Sequence, residues 1–322
     1  MRSIQIEKES PGYAGVNPKT NTAYISYTSS NFIIVVDLEK GTIENKIQLN
    51  CPRNISINRV TNKVYVSSAY GICEIDSENN QYEVINIGLP HSDGSVDVNP
   101  LTNLLYTTCF GHDILTVIDA PTRSIVDKIP VGKNPKGVAV DTGANKIYVA
   151  NYDSESISVI DCNQSHKHTD TVSIKQKWDS SELRNPSFVL INVRSKLLYV
   201  QTHVSRGTEG GAVESERLYL IDINTKKTVK TIGLDSNAKV GLALNHNTNM
   251  IYMRKLKSIM KFDAFASKKK VLAKINLRYT SIWKRIFFDG YEYFAEVMAV
   301  NPSNDKVYVS DSKSNLLYEI DG

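Results

Sequence analysis

One short pattern recurs seven times along the 322 residues, and it constrains the fold more than any other feature of the chain. A polar turn followed by an aliphatic residue and a tyrosine appears as NPKTNTAY ending at Tyr24, NRVTNKVY at Tyr65, NPLTNLLY at Tyr106 and DTGANKIY at Tyr148. It returns as NVRSKLLY at Tyr199, NHNTNMIY at Tyr252 and NPSNDKVY at Tyr308. Each copy runs into an alternating segment that closes on aspartate, at Asp37, Asp76, Asp119, Asp161, Asp222, Asp263 and Asp321. The tyrosines lie 41, 41 and 42 residues apart in the first four copies and 51, 53 and 56 apart in the rest, so the later copies carry insertions.

A period near forty residues fits four strands of about five or six residues joined by short turns. A chain of seven such units is expected to be all-β, a seven-bladed β-propeller of four-stranded antiparallel blades, with residues 1–322 forming a single domain. Asn-Pro and Thr-Asn suit a tight turn, because Asn hydrogen-bonds nearby backbone and Pro presets its own φ; these residues read as structural. The last copy stops at Asp321-Gly322 after three strands, whereas the chain begins with an orphan strand, SIQI. Ring closure resolves the mismatch: the N-terminal strand should pair beside residues 315–321 and cover the open edge.

The repeats resemble the YVTN β-propeller repeat, through KVYV at 63–66, KIYVAN at 146–151 and KVYVSD at 306–311. The resemblance spans essentially the whole chain, with copies five and six the most degenerate. It implies the ring fold and no shared catalytic constellation. Similar rings include lactonases, virginiamycin B lyase and WD-repeat scaffolds, so binder and enzyme both follow from the likeness.

Composition narrows the classes further. The chain is 41% hydrophobic and 22% charged, with 17 Tyr and 8 Phe, the profile of a globular protein rich in strand formers. No segment reaches the roughly 18 apolar residues of a membrane-spanning helix, and MRSIQIEKES lacks an apolar leader core. A cytoplasmic monomer is expected, with an extracellular or cell-surface location as the alternative if a leader precedes this sequence. Cys51, Cys73, Cys109 and Cys162 form no CxxC pair and are expected to be isolated thiols.

In an antiparallel meander the second-to-third-strand loops and the blade-to-blade crossings share one face. The long segments 203–217, 175–185 and 278–294 all fall there, with Trp178, His203, Trp283, Lys284, Arg285 and Tyr291 as candidate partner-binding residues. The aromatic stretch 278–294 is expected to cap the ring, with Ile282, Ile286 and Phe287 at helical spacing. Alignment to Asn134-Pro135-Lys136-Gly137 places Tyr13, Arg53, His91, Lys136, Ser187 and Lys239 at the channel mouth, a partly basic set suited to an anionic ligand. Residues 253–285 hold eleven Lys or Arg against Asp263 alone, leaving the rest of the chain net negative by six. That block suits an anionic partner, single-stranded nucleic acid included.

His91, Asp93, His112, Asp113, Asp153, Glu155 and His203 fall in loops of the same face but show no metal-ligand spacing, and no nucleophile elbow or phosphate loop is present. No catalytic residue, metal or cofactor is assigned. The expected function is a non-catalytic scaffold that presents one decorated face to a protein or other macromolecular or anionic ligand. A hydrolase or lyase at the channel mouth is the alternative, favoured by a tight cluster of His91, His112 and His203; nucleic-acid binding is the other.

Overall fold

The structure, a computed structural model, describes residues 2–88, 94–164, 166–174, 182–206, 213–234, 242–255, 258–263, 273–276, 297–311 and 314–322. Each tyrosine-bearing pattern forms the second strand of a four-stranded antiparallel sheet. Blade one is Tyr13–Asn17, Thr22–Tyr27, Phe32–Asp37 and Thr42–Gln48; blade two is Ile55–Asn58, Lys63–Ser68, Gly71–Asp76 and Tyr82–Asn86. Blade three is Val96–Asn99, Leu104–Thr108, Ile114–Asp119 and Ser124–Pro130; blade four is Pro135–Asp141, Lys146–Asn151, Ser156–Asp161 and Lys167–Ser173. Blade five is Glu182–Asn192, Leu197–Arg206, Val213–Asp222 and Thr228–Leu234; blade six is Leu242–Asn245, Met250–Lys255, Ser258–Asp263 and Ala273–Asn276. Blade seven takes Met298–Asn301, Lys306–Asp311 and Leu316–Asp321 from the C-terminal end and Arg2–Gln5 from the N-terminal end.

That last sheet is the expected closure. Arg2 to Gln5 pair antiparallel with Glu319 to Leu316, and Ile6 N–H extends the pairing to the Asn315 carbonyl at 2.9 Å. Ile4 and Ile6 are buried against Val16, Ile34, Val297 and Leu317, which joins blade seven to blade one. Arg2 also donates to the Leu38 carbonyl of blade one at 2.9 Å. The open edge of the last sheet is thereby covered and packed in one step.

The apolar interior divides into seven clusters, one between each pair of neighbouring blades. Strand alternation sends every second side chain toward one neighbour and the rest toward the other. The repeated tyrosine always faces the following blade: Tyr24 lies in the cluster shared by blades one and two, and Tyr65, Tyr106, Tyr148, Tyr199, Tyr252 and Tyr308 continue around to the junction of blades seven and one. Each is at most 3% exposed, so the ring desolvates all seven. Burial of a side chain this size contributes roughly 2–3 kcal/mol.

The turn asparagines link blades as well as making turns. Asn17 accepts the Lys19 N–H, and its amide donates to Asn62 Oδ1 of the next blade at 2.5 Å. The same reach joins Asn58 to Asn103 at 2.8 Å, Asn99 to Asn145 at 3.3 Å, Asn192 to Asn249, Asn245 to Asp305 at 2.5 Å and Asn301 to Asn21 at 3.0 Å. Each acceptor residue sits at positive φ, between 52° and 60°, where Asn and Asp are tolerated best. A belt of amides therefore runs around one face, broken between blades four and five. There Asp141 stands for the donor Asn and Lys196, at φ 55°, for the acceptor, and Asp141 Oδ2 is buried without a hydrogen-bond partner.

Inner strands also expose an edge to the channel, and side chains of the preceding blade cap part of it. Asn54 and Ser56 accept the N–H groups of Val96 and Val98, and Ser95 and Asp97 accept those of Val138 and Val140. Between blades four and five the backbones come too close for such caps: a Cβ on Gly137 would meet the Val189 nitrogen at 3.0 Å. All four cysteines are free thiols; Cys73 and Cys109 are buried, Cys51 and Cys162 partly so. Among the described residues no helix is long and apolar enough to cross a membrane.

Segments 203–217 and 175–185 were read as loops, yet residues 203–206 and 213–217 are strand, and 182–185 belong to the first strand of the blade. His203 pairs with Glu216, Thr202 with Arg217, and Glu182 with Arg206, so blade five rises above the disc as a three-stranded ribbon. Alternation in HVSR and VESER, hidden by their charge, is what extends the pairing. The helix expected over 282–287 lies outside the described residues.

Candidate functional site

Loops and crossings interlock on the face opposite the amide belt. Ala69 N–H bonds the Asn50 carbonyl at 3.0 Å, Val131 bonds Asp113 at 3.0 Å and Tyr152 bonds Asn134 at 3.0 Å, each joining a crossing to a second-to-third-strand loop. Hydroxyls at the ends of second strands then reach the next blade: Ser26 to the Arg53 carbonyl at 3.0 Å, and Thr108 to the Lys136 carbonyl at 2.7 Å. The backbone at the channel mouth is thus held from both sides.

Tyr13 begins the inner strand of blade one, and Arg53 lies two residues before that of blade two. Lys136 and Ser187 occupy matching register shifts, between Pro135 and Gly137 and between Pro186 and Phe188. His91, Lys239, Trp178, Trp283, Lys284, Arg285 and Tyr291 lie outside the described residues, as do Asp93 and most of the basic block 253–285. Of the proposed partner-binding residues, only His203 is placed.

Lys136 and His203 fall into one connected group over blades three to five. The Lys136 ammonium stands 4.1 Å from the Tyr152 ring centroid and 4.9 Å from that of Phe110. Those rings meet edge to face at 6.2 Å, and Tyr152 lies 6.0 Å from the His203 ring. His203 Nδ1 is 3.4 Å from Glu216 Oε1, while Gln201 holds the other Glu216 oxygen at 2.9 Å. All three rings and the lysine are partly exposed, so cation and rings form a water-facing strip. Such a contact contributes about 0.5–1 kcal/mol at an exposed site.

Beneath the strip lies a charge network that the sequence reading did not foresee. Arg184 is 1% exposed, and its guanidinium donates to Glu182 Oε2 at 2.9 Å and to the Glu182 carbonyl at 3.3 Å. Arg217 grips the same carboxylate with two bonds, at 2.8 and 3.1 Å, and Glu182 beside it holds the Arg217 guanidinium above its ordinary pKa. Buried Glu155, at φ 47° in the blade-four loop, accepts the Arg184 N–H at 3.0 Å, and Asn185 reaches the Tyr152 carbonyl at 3.1 Å. Charges this deep are kept only when paired, and removing one partner typically costs 3–5 kcal/mol. The network clamps blades four and five where the belt is broken.

His112 lies in the blade-three loop and His203 on the blade-five ribbon, and among the described residues no group of three or more His, Cys, Asp or Glu is placed to hold a metal. What the strip offers is a cation, aromatic faces and a histidine–carboxylate pair on a preorganised base, an arrangement suited to recognition.

Fold and face together define a seven-bladed β-propeller with one elaborated side. Among solved structures the chain is similar to hydrazine synthase of Kuenenia stuttgartiensis, with TM-score 0.75, 15% identity, and coverage of 99% of this chain and 97% of that one. At that identity the likeness shows the fold alone. No protein-family model matches the chain, and no curated protein matches its sequence.

Proposed function

We propose that this protein is a non-catalytic scaffold whose crossing face binds a protein or other macromolecular partner through the strip Lys136, Phe110, Tyr152 and His203. One observation supports this above the others: the strip rests on the buried, hydrogen-bonded side chains of Arg184, Glu182 and Glu155, a costly foundation for a surface with nothing to hold. Tyr152, partly exposed in this strip, is of a residue type enriched where binding energy concentrates. Likeness to YVTN and WD-repeat modules fits the same reading, as does the ribbon of blade five, which raises His203 and Glu216 above the disc.

The test is affinity capture from a native extract with wild type, with the double variant Tyr152→Ala and Lys136→Glu, and with Arg59→Gln on the opposite face. A species retained by wild type and Arg59→Gln but lost by the double variant supports the reading. Capture that ignores Tyr152 and Lys136 removes this strip from it.

A further inference from the structure

The turns that lead from the third strand of a blade to its fourth repeat one backbone device, and blade four uses it differently. A residue at positive φ precedes the outer strand: Gly41 at 76°, Asn80 at 58°, Arg123 at 56°, His166 at 57° and Lys226 at 58°. Blades three and five place a fixed cation there, and each reaches back to the preceding blade, Arg123 to Glu83 and Lys226 to Asp170. In blade four the cation is exchanged for a histidine, which tolerates this conformation and can take or release a proton. Its Nδ1 faces Asp127 of the preceding blade at 3.8 Å.

The second ring nitrogen makes the difference. His166 Nε2 stands 3.3 Å from the Tyr106 hydroxyl, and that hydroxyl lies 3.5 Å from Cys162 Sγ. The His166 and Tyr106 rings meet edge to face at 5.9 Å. Cys162 occupies the position of Leu38, Ala120 and Ile223, each of which bonds through its N–H to the same turn carbonyl of its own blade, so a thiol is not required to fill it. Two other repeat tyrosines, Tyr252 and Tyr308, direct their hydroxyls to Asp305 and Glu319, whereas Tyr106 links a thiol to an imidazole. Tyr106 is buried, and Cys162 and His166 are partly exposed. Asp127, His166, Tyr106 and Cys162 thus form one run of contacts that reaches solvent at the sulfur.

Burial holds the Cys162 thiol above its ordinary pKa, with the bond to Tyr106 opposing that shift and the Asp161 charge adding to it. Little thiolate therefore stands free near neutrality, and the thiolate is the nucleophile. Attack by this sulfur needs its proton removed as the new bond forms. A tyrosine hydroxyl accepts one proton and donates another, so it can pass that proton on. The Asp127 carboxylate favours a proton on Nδ1 of His166, which leaves Nε2 to receive it.

We propose that Cys162 is a modification site that exchanges with a small disulfide, with Tyr106 and His166 as the path for its proton. The Cys162 sulfur bonds one sulfur of the incoming disulfide, and the old S–S bond breaks with its electron pair on the departing thiolate. The Cys162 proton passes to Tyr106 Oη as the tyrosine proton passes to His166 Nε2, and the imidazolium formed beside Asp127 returns a proton to the departing thiolate. Cys162 is thereby oxidised to a mixed disulfide, and the other half of the reagent is reduced to a thiol. Asn163, next in the chain, accepts from the belt residue Asn145 at 3.0 Å, so the site lies on the face away from the Lys136 strip and the two readings stand or fall separately.

Exposure of the intact protein to bis-hydroxyethyl disulfide tests it, with mass analysis of the peptides that carry Cys162 and Cys51, the other partly exposed thiol. Near neutral pH, Cys162 is expected to be modified about tenfold faster than Cys51, and about tenfold more slowly in Tyr106→Phe and in His166→Asn than in wild type. One variant keeps the buried ring and the other supplies a residue suited to positive φ, and unchanged melting temperatures check that both fold. The pH profile of the wild-type rate at Cys162 should carry an inflection that Cys51 lacks and that His166→Asn removes. Modification of Cys162 no faster than that of Cys51, or an unchanged rate in either variant, would overturn the proposal.

Discussion

The two faces of the disc are built on different principles. On the belt face one device repeats: an Asn closes its own turn and reaches to the next blade, six times in seven. On the crossing face, among the described residues, the contacts that occur only once gather over blades three to five. Repeated contacts hold the ring, whereas the contacts that break the repeat lie where we propose that a partner binds. The junction of blades four and five shows both at once, since it lacks the belt amide and carries the buried charge network instead.

The largest way to break this comparison is at the closure. Deleting residues 1–8 strips Ile4 and Ile6 from the core and reopens the edge of blade seven, and is expected to lower stability by more than about 5 kcal/mol, read as a fall in denaturant midpoint. Next comes Arg184→Ala, which leaves Glu182 buried with Arg217 as its remaining guanidinium; a loss of about 3–5 kcal/mol is expected. An unchanged midpoint would show that the Arg184, Glu182 and Arg217 cluster does not stabilise blade five. Removing one belt link, Asn301→Ala, orphans the Asn21 amide oxygen and the Ser303 N–H, and should cost about 1–3 kcal/mol in the same assay.

A fourth change sharpens the contrast by repairing the gap. Lys196→Asn places a residue suited to φ 55° opposite the unpartnered Asp141 Oδ2 and supplies the missing amide, so stability should rise by about 1 kcal/mol. A fall would mean that the gap is not a missing link. The smallest effect concerns acid. Asp37 has its pKa lowered to about 2, chiefly by Lys40, so its contribution is complete above its ordinary value of 3.8 and is lost as pH falls through about 2. Asp37→Asn should therefore flatten stability against pH between about 4 and 2 and leave its shape near neutrality unchanged.

Most of the ring was legible in the sequence, because its parts are local: a tyrosine two or three residues past a turn, a strand of fixed parity, an aspartate at the end. Closure was legible too, since a missing strand and an orphan strand stand at opposite termini. The belt was not, because Asn17 and Asn62 are 45 positions apart and nothing in either turn names its partner. The charge network was hidden for the same reason, with Glu155, Glu182 and Arg217 brought together by two blades. A signal did exist in the departures from the repeat: Asp141 and Lys196 in a pattern that calls for Asn. At the crossing face the sequence reading named Lys136 and His203 but not Phe110 and Tyr152, whose contact with Lys136 appears only in the folded chain.

Amide hydrogen exchange on the intact protein tests the central claim most directly, by comparing the outer strand Arg2–Gln5 with an internal outer strand, Thr42–Gln48. If the ring is shut by its first residues, the Ile4 and Ile6 amides should exchange as slowly as those of Ile47 and Leu49, within about tenfold. Exchange of Ile4 and Ile6 at the rate of an unstructured chain would contradict closure, and with it the contrast between the face that holds the ring and the face we propose to bind a partner.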